Sequence, residues 1–143
     1  MKFIIIPLLI WFLSQTAKYF FRLIRPGRKK LKNPLWVYKW AGGAPSTHSA
    51  MLTAALYNIA FYNGFDVLFA FGVTVALLFM YNLLEDRQKA EMEEKIWEGK
   101  GPAWVDRIFQ DGKLLDISGH TFFEVISGII FGLVMAFVLN KVF

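Results

Sequence analysis

The chain contains no cysteine, so it can form neither a disulfide framework nor a thiolate metal site, and its redox compartment stays open. Histidine is scarce as well, with 2 in 143 residues. Polar surface is the third shortage: 19% of the residues are charged, against 56% hydrophobic and 17% aromatic. Mean hydropathy is +0.42. A chain of single-domain length cannot hide that much apolar surface in its own core, so it needs a second apolar solvent. An ordinary soluble domain is excluded, and the bilayer is the natural surrounding. No internal repeat or low-complexity segment is visible. The formal charge of +5 informs by its position rather than its total, and membrane lipids, not nucleic acid, are the partners it suggests.

Three runs approach the length of about 20 residues that crosses a bilayer. They are Phe3 to about Ile24, Phe65 to Leu84, and His120 to Leu139. A fourth segment, Ser46 to Tyr62, is shorter and less apolar, and only Asn63 and Gly64 separate it from the next run. It reads as a helix sheltered among the others. The first run is a poor cleavable leader, because its charged region is Lys2 alone and no small-residue cleavage site follows Phe12 and Leu13. The expected architecture is an all-α integral membrane bundle in one domain, 1–143. It has about four membrane helices, near 3–24, 46–62, 65–84 and 119–140. A cytoplasmic segment, 85–117, opens with a surface helix, "EDRQKAEMEEKIWEG".

Charge position sets the topology. The loop after the first run carries Arg22, Arg25, Arg28, Lys29, Lys30, Lys32 and Lys39 with no acid among them. The stretch 85–117 adds Arg87, Lys89, Lys95, Lys100, Arg107 and Lys113 among acids, whereas the turn "YNGFD" has no basic residue. Cytoplasmic loops collect Lys and Arg, so both stretches should be cytoplasmic and both termini outside. Four helix ends then meet at the cytoplasmic face: Lys18 to Pro26, Ser46 to His48, Tyr81 to Arg87, and Ser118 to Glu124. The unusual polar residues of the chain are these same ones.

Each has a bland reading and a chemical one. A helix start at Ser46 offers unpaired N–H groups, those of Ser46 and Thr47, to an oxyanion, with His48 within one turn. Ordinary capping beside an interfacial histidine explains these residues about equally well. His120 and Glu124 stand at i and i+4, the spacing that puts both on one helix face. A carboxylate on one imidazole nitrogen fixes the tautomer and raises the basicity of the other. A structural polar pair is the alternative, but an ionisable group inside a membrane helix usually serves function. Lys18 could simply snorkel to the interface, and Arg25 could attract lipid headgroups.

The order and spacing of these residues resemble a known signature. "KYFFRLIRP" is Lys-x6-Arg-Pro from Lys18 to Pro26, followed by Pro-Ser-x-His and then His-x3-acid. This resembles the type 2 phosphatidic acid phosphatase family, related to the vanadium-dependent haloperoxidases, and more closely its divergent branch of small membrane proteins. "GGAPSTHSA" (Gly42 to Ala50), "GHTFFEV" (Gly119 to Val125) and "YNLLEDR" (Tyr81 to Arg87) carry the likeness to that branch.

The resemblance implies a metal-independent phosphatase without a cofactor, acting on a lipid phosphate through a phosphohistidine. Lys18 and Arg25, with the backbone at Ser46 and Thr47, would bind the phosphate oxygens. His120 would be the nucleophile, oriented by Glu124 where the wider family has Asp. His48 would protonate the leaving group and later activate water. Three positions depart from the pattern. Lys113-Leu114 stands where the wider family has Ser-Arg, which makes Arg87 the expected third cation. Asn82 replaces an Asp of the divergent branch, and Glu85-Asp86 replaces Gly-Val.

The lipid could be a polyprenyl monophosphate or diphosphate, or a glycerolipid phosphate. An inactive relative that only binds lipid phosphate is the second reading, and two histidines with a carboxylate partner argue against it. A transporter is disfavoured because the polar residues gather at one interface and not at the midplane. Gly128 and Gly132, in "GIIFG", form a small-x3-small pattern. It suits helix packing within the monomer, with a dimer contact as the other use.

Overall fold

The computed structural model describes residues 2–24, 43–97 and 119–142, with side chains over 3–21, 43–93 and 119–142. Four α-helices make up this part, with no strand among the described residues: α1 (Lys2–Ile24), α2 (Thr47–Asn63), α3 (Val67–Trp97) and α4 (Phe122–Val142). α1, α3 and α4 are long and apolar enough to cross a membrane. α2 has 17 residues and packs against the other three, while α1 also touches α4 and α3 lies mainly against α2.

Polarity runs inside out, as a bilayer dictates. The outer surface shows Ile4, Leu8, Phe21, Phe71, Leu78, Phe123 and Ile130, while Ser14, Lys18, Thr47, Ser49, Thr53 and Asn58 are buried. Lipid is as apolar as leucine, so helices associate through close packing and hydrogen bonds between them. Both occur around α2. A side chain at Gly128 would collide with the Ser46 carbonyl, and one at Gly132 with the Ala50 carbonyl. The two glycines are therefore the surface on which α2 lies, and the small-x3-small face is used inside the chain. Ile6 and Ile10 of α1 complete the core with Ala50, Ala54 and Ala136. At the far end Tyr62 donates to Asn140 Oδ1 (2.9 Å), and Asn140 Nδ2 donates to Asn58 Oδ1 (2.7 Å).

Two boundaries differ from the expected ones. The segment expected as a separate surface helix continues α3 without a break to Trp97. Nothing in "LLEDRQKAEMEEKIW" breaks a helix, and Glu85 pairs with Lys89 (2.9 Å) and Arg87 with Glu91 (2.7 Å) one turn apart. At 31 residues α3 is about 46 Å long, well beyond a hydrocarbon core of about 30 Å. The second difference is that α4 starts at Phe122, after His120 instead of at it. Thr121 and Glu124 form a capping box: the Thr121 N–H donates to Glu124 Oε2 (3.0 Å), and the Glu124 N–H donates to Thr121 Oγ1 (3.3 Å).

Candidate active site

All four helices contribute to one polar cluster toward the end of α1, at the middle of α3, and at the starts of α2 and α4. α2 begins at Ser46, whose extended backbone (φ −64°, ψ 117°) and side chain cap the helix by accepting from Ser49 N–H. His48 follows within the first turn. Its ring meets that of His120 edge-on, with centroids 5.6 Å apart and planes at 78°. The Phe79 ring of α3 also lies near, its centroid 6.0 Å from that of His48. His48 Nδ1 is buried, and no hydrogen bond reaches it among the described residues.

His120 is held by its backbone. Its N–H donates to the Leu83 carbonyl of α3 (3.0 Å). Gly119, just before it, has φ +76°, and a side chain there would collide with the Leu83 carbonyl and the Arg87 amide. The glycine thus lets α3 come close enough to fix His120, which is 2% exposed.

Lys18 is equally buried at 2% exposure, so it does not snorkel to the surface. One turn earlier on α1, Ser14 Oγ donates to Thr47 Oγ1 (3.1 Å), which anchors this part of α1 to the start of α2. The charge of Lys18 is close enough to act on the His48 imidazole. A cation, two imidazoles and a helix N-terminus therefore converge from three helices.

The backbone donors are distributed otherwise than expected. The Ser46 N–H donates to the Glu124 carbonyl (2.9 Å), so it is taken up in joining α2 to α4. With Ser49 N–H on Ser46 Oγ and Ala50 N–H on the Ser46 carbonyl (3.0 Å), the N–H groups left for an oxyanion are those of Thr47 and His48. Glu124 also departs from expectation. Because α4 starts after His120, the i, i+4 relation does not place the two on one helix face, and no hydrogen bond joins Glu124 to the His120 imidazole among the described residues. "HTFFE" shows the reason in the sequence itself, since Thr-x-x-Glu before an apolar run is a capping-box pattern.

Arg87 of α3 sits beside Gly119, with its Nε on Glu91 Oε1 (2.7 Å). Of the acids at departing positions, Glu85 is engaged by Lys89 and Asp86 is exposed. Asn82 is exposed too. Arg25 and Lys113 lie outside the described residues. Sequence reasoning missed Ser14 and Thr121. Only the capping box could have flagged one of them, because the Ser14–Thr47 contact joins residues 33 apart.

Fold and site together define a helical membrane protein whose two histidines and buried lysine face one small polar locus. The chain belongs to the Divergent PAP2 family, which it matches over residues 1–135. It is thus a membrane protein of a phosphatase-related family. No curated protein and no solved structure matches it.

Proposed function

We propose that the protein is a membrane-embedded phosphatase that hydrolyses a phosphoester or diphosphate of a lipid through a phosphohistidine, at the cytoplasmic face. The observation that carries this reading is the edge contact of the His48 and His120 rings, at 5.6 Å, between two helix starts and beside buried Lys18. Binding alone would be served by the cation and the helix N-terminus. Two imidazoles that can reach one phosphoryl group suit nucleophile and acid–base roles.

In the first step a His120 nitrogen attacks phosphorus. The P–N bond forms as the P–O bond to the lipid breaks, and protonated His48 gives its proton to the departing oxygen. In the second step water attacks the phosphohistidine. His48 takes the water's proton, the P–N bond breaks, and inorganic phosphate is released. Lys18, Arg25 and the N–H groups of Thr47 and His48 meet the charge on the nonbridging oxygens, and Arg87 approaches from α3. The lipid's hydrocarbon chain stays among the apolar helix surfaces.

The test is phosphate release by the purified protein in detergent with excess chelator, across polyprenyl and glycerolipid phosphates. Release should persist in chelator. It should vanish in His120→Ala and fall by about a hundredfold to ten-thousandfold in His48→Ala. Equal release by wild type and His120→Ala would overturn the phosphohistidine route, and no release from any lipid would leave the binding-only reading.

A further inference from the structure

We infer that Gln15 is a further ligand-binding residue of this site, whose carboxamide hydrogen-bonds the phosphoryl group held beside Lys18. The identity of that group rests on the phosphatase reading, whereas the contact follows from the surroundings of Gln15.

Gln15 is 5% exposed, and its Oε1 is buried with no hydrogen bond reaching it among the described residues. No other buried side-chain oxygen among those residues is left so. Taking a carboxamide out of water without a partner is costly, and a membrane bundle has no bulk water to spare for it. A native chain keeps such a group for a reason, and a ligand is one. His48 Nδ1, in the same locus, is also buried and unreached. At the far end of the bundle Asn58 Nδ2 is unreached too, but that amide is already tied through its Oδ1 to Asn140 Nδ2 (2.7 Å). Gln15 Oε1 has no such tie.

The place of Gln15 on α1 brings it to the site. Ser14, directly before it, is fastened to Thr47 at the start of α2 (3.1 Å). Lys18, three positions on, is buried with its charge close to the His48 imidazole. At 3.6 residues per turn, Lys18 stands about 40° and Gln15 about 100° around the helix from Ser14, so the three share one side of α1. Residues three apart on a helix have Cβ atoms about 5–6 Å from each other, so the carboxamide and the ammonium can meet one group.

A carboxamide suits a phosphoryl group because it answers either protonation state. It turns its NH2 to an anionic oxygen or its C=O to a P–O–H, and adds no charge in doing so. The ammonium of Lys18 only donates.

Methionine fills a similar space without a hydrogen-bonding group, which separates two roles. An amide that holds the fold through a hidden partner leaves the protein weaker when it is removed. An amide kept for a ligand is an unpaired burden on the fold, so its removal costs binding and not stability. The experiment takes full-length wild type, Gln15→Met and Gln15→Leu in detergent and measures unfolding midpoints and dissociation constants. The probes are inorganic phosphate and decylphosphonate, whose C–P bond is not hydrolysed, so neither readout uses turnover. In both variants the midpoint should equal or exceed that of wild type, while Kd for both probes rises by about tenfold or more. Equal losses for the two probes mean a contact with the phosphoryl group itself, free or lipid-borne. A lower midpoint in both variants would overturn the inference, since the amide would then hold the fold. Unchanged affinity would overturn it too, as would a loss confined to decylphosphonate, which puts Gln15 on the chain instead. Wild type that binds neither probe would sink the phosphatase reading and this inference with it, whereas binding that the variants retain sinks the inference alone.

Discussion

At Gly119 the backbone turns through φ +76° directly against the Leu83 carbonyl and the Arg87 amide, so the position before His120 has room for a hydrogen and nothing larger. Gly119→Ala should cost about 1–3 kcal/mol from the backbone conformation alone, with the collision added to it. Thermal unfolding in detergent would read this loss, and an unchanged melting temperature would show that α3 does not press on this loop. Lys18 supports a second prediction. Methionine fills a similar volume without the charge, so Lys18→Met should fold while binding the phosphate of its ligand more weakly. The loss of one charge-assisted contact, about 1.5–3 kcal/mol, corresponds to a rise of roughly tenfold to a hundredfold in Kd or KM. Unaltered affinity would remove Lys18 from the phosphate site.

Between elements, the decisive feature is how closely α2 lies on α4. A methyl at Gly132 would meet the Ala50 backbone, which cannot yield without moving a helix. At Gly72 of α3 it would instead meet the tip of the Leu56 side chain, at 2.8 Å, which can change rotamer. Gly132→Ala should therefore destabilise by about 2–3 kcal/mol or more, and Gly72→Ala by less than about 1 kcal/mol. Chemical denaturation of the two variants side by side checks the order, and equal costs would contradict this packing. Thr121→Val removes the cap of α4 and should cost about 0.5–2 kcal/mol in the same assay.

For the whole molecule, the arrangement of basic loops predicts that the short connection at residues 63–66 lies outside and the C-terminal part of α3 inside. The absence of cysteine makes this simple to test, because any introduced thiol is the only one. Asn63→Cys and Gln88→Cys both stand at exposed positions. An impermeant maleimide applied to intact cells should label Asn63→Cys and reach Gln88→Cys only after permeabilisation. The opposite pattern would move the candidate site to the outer face. The inside-out polarity suits this location: lipid surrounds the phenylalanines and leucines of α1, α3 and α4, while α2 keeps its serines and threonines toward its neighbours.

Hydropathy and residue type are local properties, so the sequence alone determined that this is an all-helical membrane bundle. It also determined which few residues could carry chemistry: His48, His120, Lys18 and Glu124. The motif order tied them to a family for the same reason. What only the tertiary structure decided is how each hydrogen-bonding group is used, because its partner comes from another helix. The Ser46 N–H, expected to face an anion, is taken by the Glu124 carbonyl 78 residues later. The Glu124 carboxylate turns back to Thr121, and the glycines of α4 meet α2 within the same chain. Spacing along a chain says which groups share a helix face. It cannot say which helix will lie against that face, and here that contact decides which donors remain for a ligand.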